Sequence, residues 1–273
     1  MPELPEVETV VRSLQPIVGR TIEGVETSGL KLRSPVDADL LGRACVGTQI
    51  ERIARIGGKY IVAELSGTEC LLLHLGMSGR LKWTAPSEPR PPHTHVVWRF
   101  SDGELRFIDP RRFGLVKVYR NNEFLHSPEL FNLGVEPLGK FFSPEFLIEE
   151  LGYSSMSIKQ FLLDQHRIVG LGNIYASEAL FAARVSPRRR ADRITRAQAR
   201  ALHDAIRLVL EQAIARRGTS FRDYVDANGA SGNNQEFLQV YDRAGRLCPR
   251  CGAPIRQIVQ AARSTFYCPR CQR

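Results

Sequence analysis

The chain has 273 residues, 43% of them hydrophobic and 25% charged, with a formal net charge of +9 and an isoelectric point of about 9.5. This composition excludes a disordered or fibrous chain and supplies enough apolar residues for a sizeable core, and the length suggests about two domains. With no apolar run long enough to span a membrane and an acidic, proline-containing start unlike a secretory signal, a soluble cytoplasmic protein is expected, and the basic excess fits a polyanionic partner.

The chain opens Met1-Pro2-Glu3-Leu4-Pro5-Glu6-Val7-Glu8-Thr9. Trimming of the methionine, common before a small residue, turns Pro2 into a secondary amine with a carboxylate on the next residue. An α-amino group titrates near ~8, against ~10.4 for lysine, so a sizeable fraction is nucleophilic at neutral pH without burial. Attack of such an amine on a sugar aldehyde carbon gives a cationic iminium, an electron sink that acidifies neighbouring C–H bonds and suits elimination from deoxyribose. On position alone an inert Met-Pro start is the commoner reading.

Val7, Val10, Val11 and Leu14 recur at helical spacing, which predicts an amphipathic helix ending near Pro16 and holding the terminus on a core. β-rich runs follow at 49–53, 60–65, 70–75, 95–100, 105–108 and 115–119, with Asp102-Gly103 as a hairpin signal. They predict a β-sandwich or barrel with the helix against it. Residues 121–140 read as a linker. Ser143-Pro144-Glu145 then opens a helix, further helices are expected over 158–165 and 174–183 with Gly170-Leu171-Gly172-Asn173 between them, and Thr195 with Gln198 forms a capping box for a helix that Gly218 stops. The glycine- and asparagine-rich loop 226–234 reads as mobile by composition.

Cys45 and Cys70 sit singly in apolar surroundings and read as small buried hydrophobes. The other four form Cys248-Pro-Arg-Cys251 and, sixteen residues on, Cys268-Pro-Arg-Cys271. Each CxxC turn offers two sulfurs to one face of a tetrahedral ion, so one structural Zn2+ per chain is expected, disulfides being disfavoured in an intracellular chain. From Arg243 onward the chain carries seven arginines and no Asp, Glu or Lys. Arg263, between the cysteine pairs, stands where a hairpin tip is expected and suits a phosphate contact. Met77 lies in His74-Leu-Gly-Met-Ser-Gly79, and Arg111 and Phe113 lie in Asp109-Pro-Arg-Arg-Phe-Gly114. Taken singly these are core residues; together, on a basic protein, they supply wedges for a DNA stack.

The opening nonapeptide, Lys59-Tyr60, the two loops just quoted, Gly170-Leu-Gly-Asn-Ile-Tyr-Ala-Ser-Glu178, Gln239-Val-Tyr241 and the ribbon with Arg263-Ser-Thr-Phe-Tyr-Cys268 occur in the order found in one family. Over essentially its full length the chain resembles the formamidopyrimidine-DNA glycosylases, or 8-oxoguanine DNA glycosylase/AP lyases. The resemblance implies an α+β protein: an N-terminal β-sandwich flanked by helices over 1–130, a helix-two-turn-helix domain with a lesion-recognition loop over 131–240, and a zinc finger over 241–273. It implies a monomer acting on double-stranded DNA that contains oxidised purines or abasic sites. It assigns Pro2 as the Schiff-base nucleophile, Glu3 as proton donor to the sugar, Lys59 to β-elimination and phosphate contact, and Arg263 to δ-elimination. His74, His93, Arg111, Lys159 and Asn173 fall on DNA-contacting positions, and Met77, Arg111 and Phe113 on those that fill the gap left by an extruded base. The stretch Ser154-Ser-Met-Ser157 lacks lysines that some relatives carry. The endonuclease VIII type, with its Pro-Glu-Gly-Pro-Glu start, fits less well than the purine enzyme, and the rival from another class is a DNA-binding protein without catalysis.

Overall fold

Between residues 24 and 120 lie short strands rich in apolar side chains, and the strands pair into two antiparallel sheets in this computed structural model, which describes residues 2–121, 123–221 and 224–273. The strands are β1 (Gly24–Thr27), β2 (Ile50–Ile56), β3 (Tyr60–Leu65), β4 (Glu69–His74), β5 (Arg80–Thr84), β6 (Thr94–Phe100), β7 (Gly103–Ile108) and β8 (Leu115–Arg120). One sheet has the order β1-β6-β7-β5 and the other β2-β3-β4-β8. Ile53, Ile61 and Leu71 from one sheet share a buried cluster with Val96, Trp98 and Phe107 from the other, which makes the unit a β-sandwich. The hairpin expected at Asp102-Gly103 is present, with Phe100 paired to Gly103.

Helix α1 (Leu4–Ser13) closes this core with Val7, Val10 and Val11, followed by Leu14, each at most 5% exposed. Three elements were not legible beforehand: β1, β5 and a short helix, α2 (Ala38–Cys45), capped by Asp37 accepting the Leu40 N–H at 2.9 Å. Both missed strands are sheet edges with only one or two apolar residues each, so no periodic run marks them. Cys45 and Cys70 are buried, and burial pushes their thiols up to about 12 and about 11, as fits inert core residues.

The second half is helical, with α3 (Pro144–Gly152), α4 (Ile158–Leu163), α5 (Asn173–Ala182) and α6 (Arg196–Ala215), followed by a hairpin of β9 (Arg256–Gln260) and β10 (Arg263–Tyr267). Ser143 accepts the Phe146 N–H at 3.1 Å, and Thr195 and Gln198 make the reciprocal bonds of the expected capping box. Helix α6 ends at Ala215, where Arg217 (φ +61°) and Gly218 (φ +78°) turn left-handed in succession.

The chain divides into two compact units, Met1–Phe131 with Arg216–Gln235, and Asn132–Ala215 with Glu236–Arg273. The segment 216–235 groups with the β unit, where its backbone is tied: Ala227 N–H donates to Ser13 Oγ (3.0 Å) and its carbonyl accepts from Trp83 N–H (2.8 Å). Within the loop 226–234, Asp226 accepts N–H groups from Asn228 and Ala230, and the Asn234 N–H reaches the Gly218 carbonyl. Phe181 of α5 packs with Val240, Ile255 and Phe266 in one cluster.

Candidate active site

Glu3 caps α1 and forms a reciprocal box with Glu6, whose Oε2 accepts the Glu3 N–H at 2.8 Å. Both carboxylates are almost completely buried, at 3% and 2% exposure, and Pro2 before them is half-buried. Along α1, Gln15 Nε2 donates to the Ile53 carbonyl and Arg55 pairs with Glu8 at 3.0 Å. The helix therefore runs opposite to β2, and its start lies toward the β2–β3 turn. That turn, with Gly57 at φ +53° and Gly58 at φ +75°, carries Lys59, 7% exposed. Pro2, Glu3 and Lys59 thus share one end of the β unit.

His74 ends β4 and packs against Tyr60, the neighbour of Lys59, with ring centroids 4.7 Å apart. Its Nδ1 receives two donors, Arg33 Nη2 at 3.0 Å and Gly76 N–H at 2.9 Å. Burial, together with the positive charges of Arg33 and Lys59, lowers the imidazole to about 3. The ring is therefore neutral with its proton on Nε2.

The loops that bear Met77 and Phe113 are one assembly. Met77 and Phe113 are exposed large apolar side chains, 42% and 46%, and the exposed Arg111 guanidinium sits 5.0 Å from the Phe113 ring centroid. Asp109, fully buried, joins the two loops: Oδ1 accepts Ser78 Oγ–H (2.6 Å) and Oδ2 accepts Gly114 N–H (2.7 Å). Gly76, at φ +62°, lets the backbones touch, since a Cβ there would lie 2.5 Å from the Phe113 carbonyl carbon. His93 is exposed with φ +66°, and its carbonyl accepts the Asp109 N–H.

In the helical unit, Lys159 is 0% exposed, and its ammonium donates to the Asn173 carbonyl (2.9 Å) and Ser177 Oγ (2.5 Å), within the first turns of α5. Asn173 is half-buried and donates from Nδ2 to the Ser264 carbonyl at 2.7 Å, holding the hairpin on which Arg263 is exposed. Glu178, which carried no assigned role in the sequence, accepts N–H groups from Gln239, Val240 and Tyr241 at 2.8–2.9 Å. Its burial raises the carboxyl, and these three N–H groups oppose that rise. Arg250 likewise proves structural, capping the Phe181 carbonyl (2.8 Å) and lying over the Phe181 ring. Ser157, the last residue of the lysine-free stretch, caps α4 by accepting the Gln160 N–H.

The sulfurs of Cys248, Cys251, Cys268 and Cys271 lie within 4.8 Å of one another, with 3.9 Å between Cys248 and Cys271 and 3.5 Å between Cys251 and Cys268. A tetrahedron with Zn–S bonds of ~2.3 Å has edges of ~3.8 Å, whereas a disulfide requires ~2.05 Å. The donor set fits one structural zinc, and four thiolates complete its coordination.

Three family models match in succession: the formamidopyrimidine-DNA glycosylase N-terminal domain over residues 1–116, the H2TH domain of the same enzymes over 133–225, and a zinc finger found in FPG and IleRS over 245–273. The chain belongs to the formamidopyrimidine-DNA glycosylase family. It is 43% identical to the formamidopyrimidine-DNA glycosylase of Desulforamulus reducens, covering 100% of this chain and 99% of that one. Its fold superposes on wild-type Lactococcus lactis Fpg (MutM) in complex with DNA containing N7-benzyl-Fapy-dG, with a TM-score of 0.92, 35% identity and complete coverage of both chains. A structure of MutM with DNA containing carbocyclic 8-oxo-G matches at a TM-score of 0.91 and 36% identity, again over both whole chains. As a family member this chain is an α+β protein with a zinc finger, and no helix among the described residues is long and apolar enough to cross a membrane.

Metal analysis is expected to return one zinc per chain, and chelation to open the ribbon to proteolysis while the thermal transition of the β unit persists; a metal-free chain with a protected ribbon contradicts the assignment. The His74 imidazole has its folded-state value at about 3, below the ordinary 6.5, so the unfolded chain binds the extra proton between these values. Stability contributed by His74 is present above pH 6.5 and lost as the pH falls toward 3, and His74→Gln should flatten that part of the urea-midpoint profile. Asp109→Asn turns an amide NH2 toward either Ser78 or Gly114 and should cost about 1–3 kcal/mol in urea unfolding.

Proposed function

We propose that this chain is a bifunctional DNA glycosylase and AP lyase of base excision repair, which extrudes and excises oxidised purines, 8-oxoguanine and formamidopyrimidines, and then cuts the strand by β,δ-elimination. The observation that carries the reading is the capped, buried first turn of α1, which fixes Pro2 and Glu3 beside the turn that bears Lys59. A protein that only held DNA has no use for an ordered terminal amine. On this reading the enzyme works as a monomer in the cytoplasm, on the DNA of the nucleoid.

A base inside a duplex shields its glycosidic bond, and rotating the nucleotide out costs a few kcal/mol. Met77, Arg111 and Phe113 enter the gap and offset part of that cost by stabilising bent, unstacked DNA. His74 donates from Nε2 to the DNA backbone and keeps that donor across the neutral range, because Nδ1 is already occupied. His93 and Asn173 supply further contacts, while Lys159 acts by holding Asn173 in place.

With Met1 removed, the neutral Pro2 nitrogen bonds to C1′ as the bond from C1′ to the base breaks, and the N–H proton that the alkylated nitrogen sheds neutralises the departing base anion. Glu3 donates a proton to the sugar ring oxygen as the ring opens, leaving an iminium between C1′ and Pro2. The iminium accepts the electron pair released when a C2′ proton is lost, and the C3′–O bond then breaks, with Lys59 placed to assist. Loss of a C4′ proton and rupture of the C5′–O bond, assigned to Arg263, complete the second elimination. Hydrolysis frees Pro2. No redox cofactor enters, and the zinc, saturated by four thiolates, takes no part.

Borohydride trapping on an 8-oxoguanine duplex is expected to give a covalent adduct that maps to Pro2. An uncleaved methionine or N-terminal tag abolishes it, because an amide nitrogen has no available lone pair. Glu3→Gln suppresses base excision more than trapping on a preformed abasic site, and Lys59→Ala slows the reaction while the DNA still attaches to Pro2. Label on Lys59, or normal trapping by a blocked terminus, refutes the assignment, and no adduct at all favours the non-catalytic binder.

A further inference from the structure

The Glu6 carboxylate serves two segments that lie 213 residues apart. Oε2 accepts the Glu3 N–H (2.8 Å) at the reacting end of the chain, and Oε1 accepts the Thr219 N–H (2.7 Å) just past the end of α6. Both ends of this bridge are buried, Glu6 at 2% and Thr219 at 4% exposure. The approach depends on Gly218: at its φ of +78° a Cβ would lie 2.9 Å from Glu6 Oε1 and 3.1 Å from its Cγ. A second tie joins the same segments, from Tyr224 Oη to the Glu6 carbonyl at 3.1 Å.

We infer that Glu6 is a positioning residue that couples the start of the 216–235 segment to the Pro2-Glu3 end, so that a displacement of Thr219 is transmitted to the nucleophile through one shared carboxylate. This rests on the reading of Pro2 as nucleophile. The physical reason is that a buried N–H to carboxylate bond is short and stronger than a neutral one, so Glu6 follows Thr219. Because Oε2 is bonded to the Glu3 N–H, following Thr219 shifts the N-cap residue and with it the adjoining proline. The segment thereby acts on the chemistry at the sugar, and it does so even at a sugar that has already lost its base.

The test is borohydride trapping on a duplex with a preformed abasic site, at saturating DNA, with Gly218→Ala, Glu6→Gln and the double variant compared with the intact enzyme. Each single variant is expected to slow trapping about tenfold, in keeping with the sensitivity of reaction rates to small misplacements. The double variant should be no slower than the worse single, and half-saturating DNA concentrations should stay within about twofold of the wild type, a split that general destabilisation would not produce. Tyr224→Phe, which leaves the backbone untouched, should slow trapping in the same direction by a smaller factor, and it stands in should Gly218→Ala fail to fold. Folded Gly218→Ala and Tyr224→Phe enzymes that trap at the wild-type rate, or single effects that multiply in the double variant, overturn the coupling. Absence of an adduct with the wild-type enzyme overturns instead the role of Pro2 and takes the coupling with it.

Discussion

The rest of the structure depends on keeping a chain terminus still. Ends of chains are ordinarily the least ordered part of a fold, yet the chemistry proposed here uses the second residue. Order comes from the apolar stripe of α1, whose Val7, Val10, Val11 and Leu14 are nearly inaccessible among residues of both sheets. These side chains anchor the helix on the core, so Pro2 and Glu3 are fixed by side chains that take no part in the reaction.

Where the fold must hold irregular segments, it repeatedly uses a buried carboxylate. Glu6 joins the helix start to the segment after α6, Asp109 joins the Met77 loop to the Phe113 loop, and Glu178 gathers three successive N–H groups between the helices and the ribbon. A carboxylate offers two acceptor oxygens in a plane, and charge-assisted bonds to N–H groups are shorter and stronger than neutral ones. Burying one without donors is costly, so each of these sites holds its loops in one arrangement. The same principle accounts for Lys159, whose buried ammonium donates to a carbonyl and a hydroxyl inside the protein.

Much of this was written in the sequence. The α1 stripe, six of the eight sandwich strands, the capped helices α3 and α6 and the paired CxxC turns all carry local signals, because each depends on periodicity or on residues a few positions apart. Candidate groups such as Pro2, Lys59, Met77 and Phe113 were legible as residue types in telling company. What the sequence left unread was of two kinds. Edge strands β1 and β5 bury too few side chains to leave a pattern. The loop 226–234 has a mobile composition but is tied by bonds to Ser13 and Trp83, far away in the chain.

By itself the sequence determined the repertoire of this protein: which helices and strands form, which four sulfurs meet a metal, and which side chains are available for attack, proton transfer and stacking. Only the tertiary structure decided how those groups are used. It buried Lys159, set the proton of His74 on Nε2, fused the two wedge loops through Asp109 and brought Glu6 against Gly218 and Thr219. The reason is that hydrophobic periodicity and capping act over a few residues and leave a trace in the order of the chain. Burial of a charge and the sharing of a carboxylate act through space, between segments as distant as Glu6 and Thr219, and acquire meaning only once the chain has closed on itself.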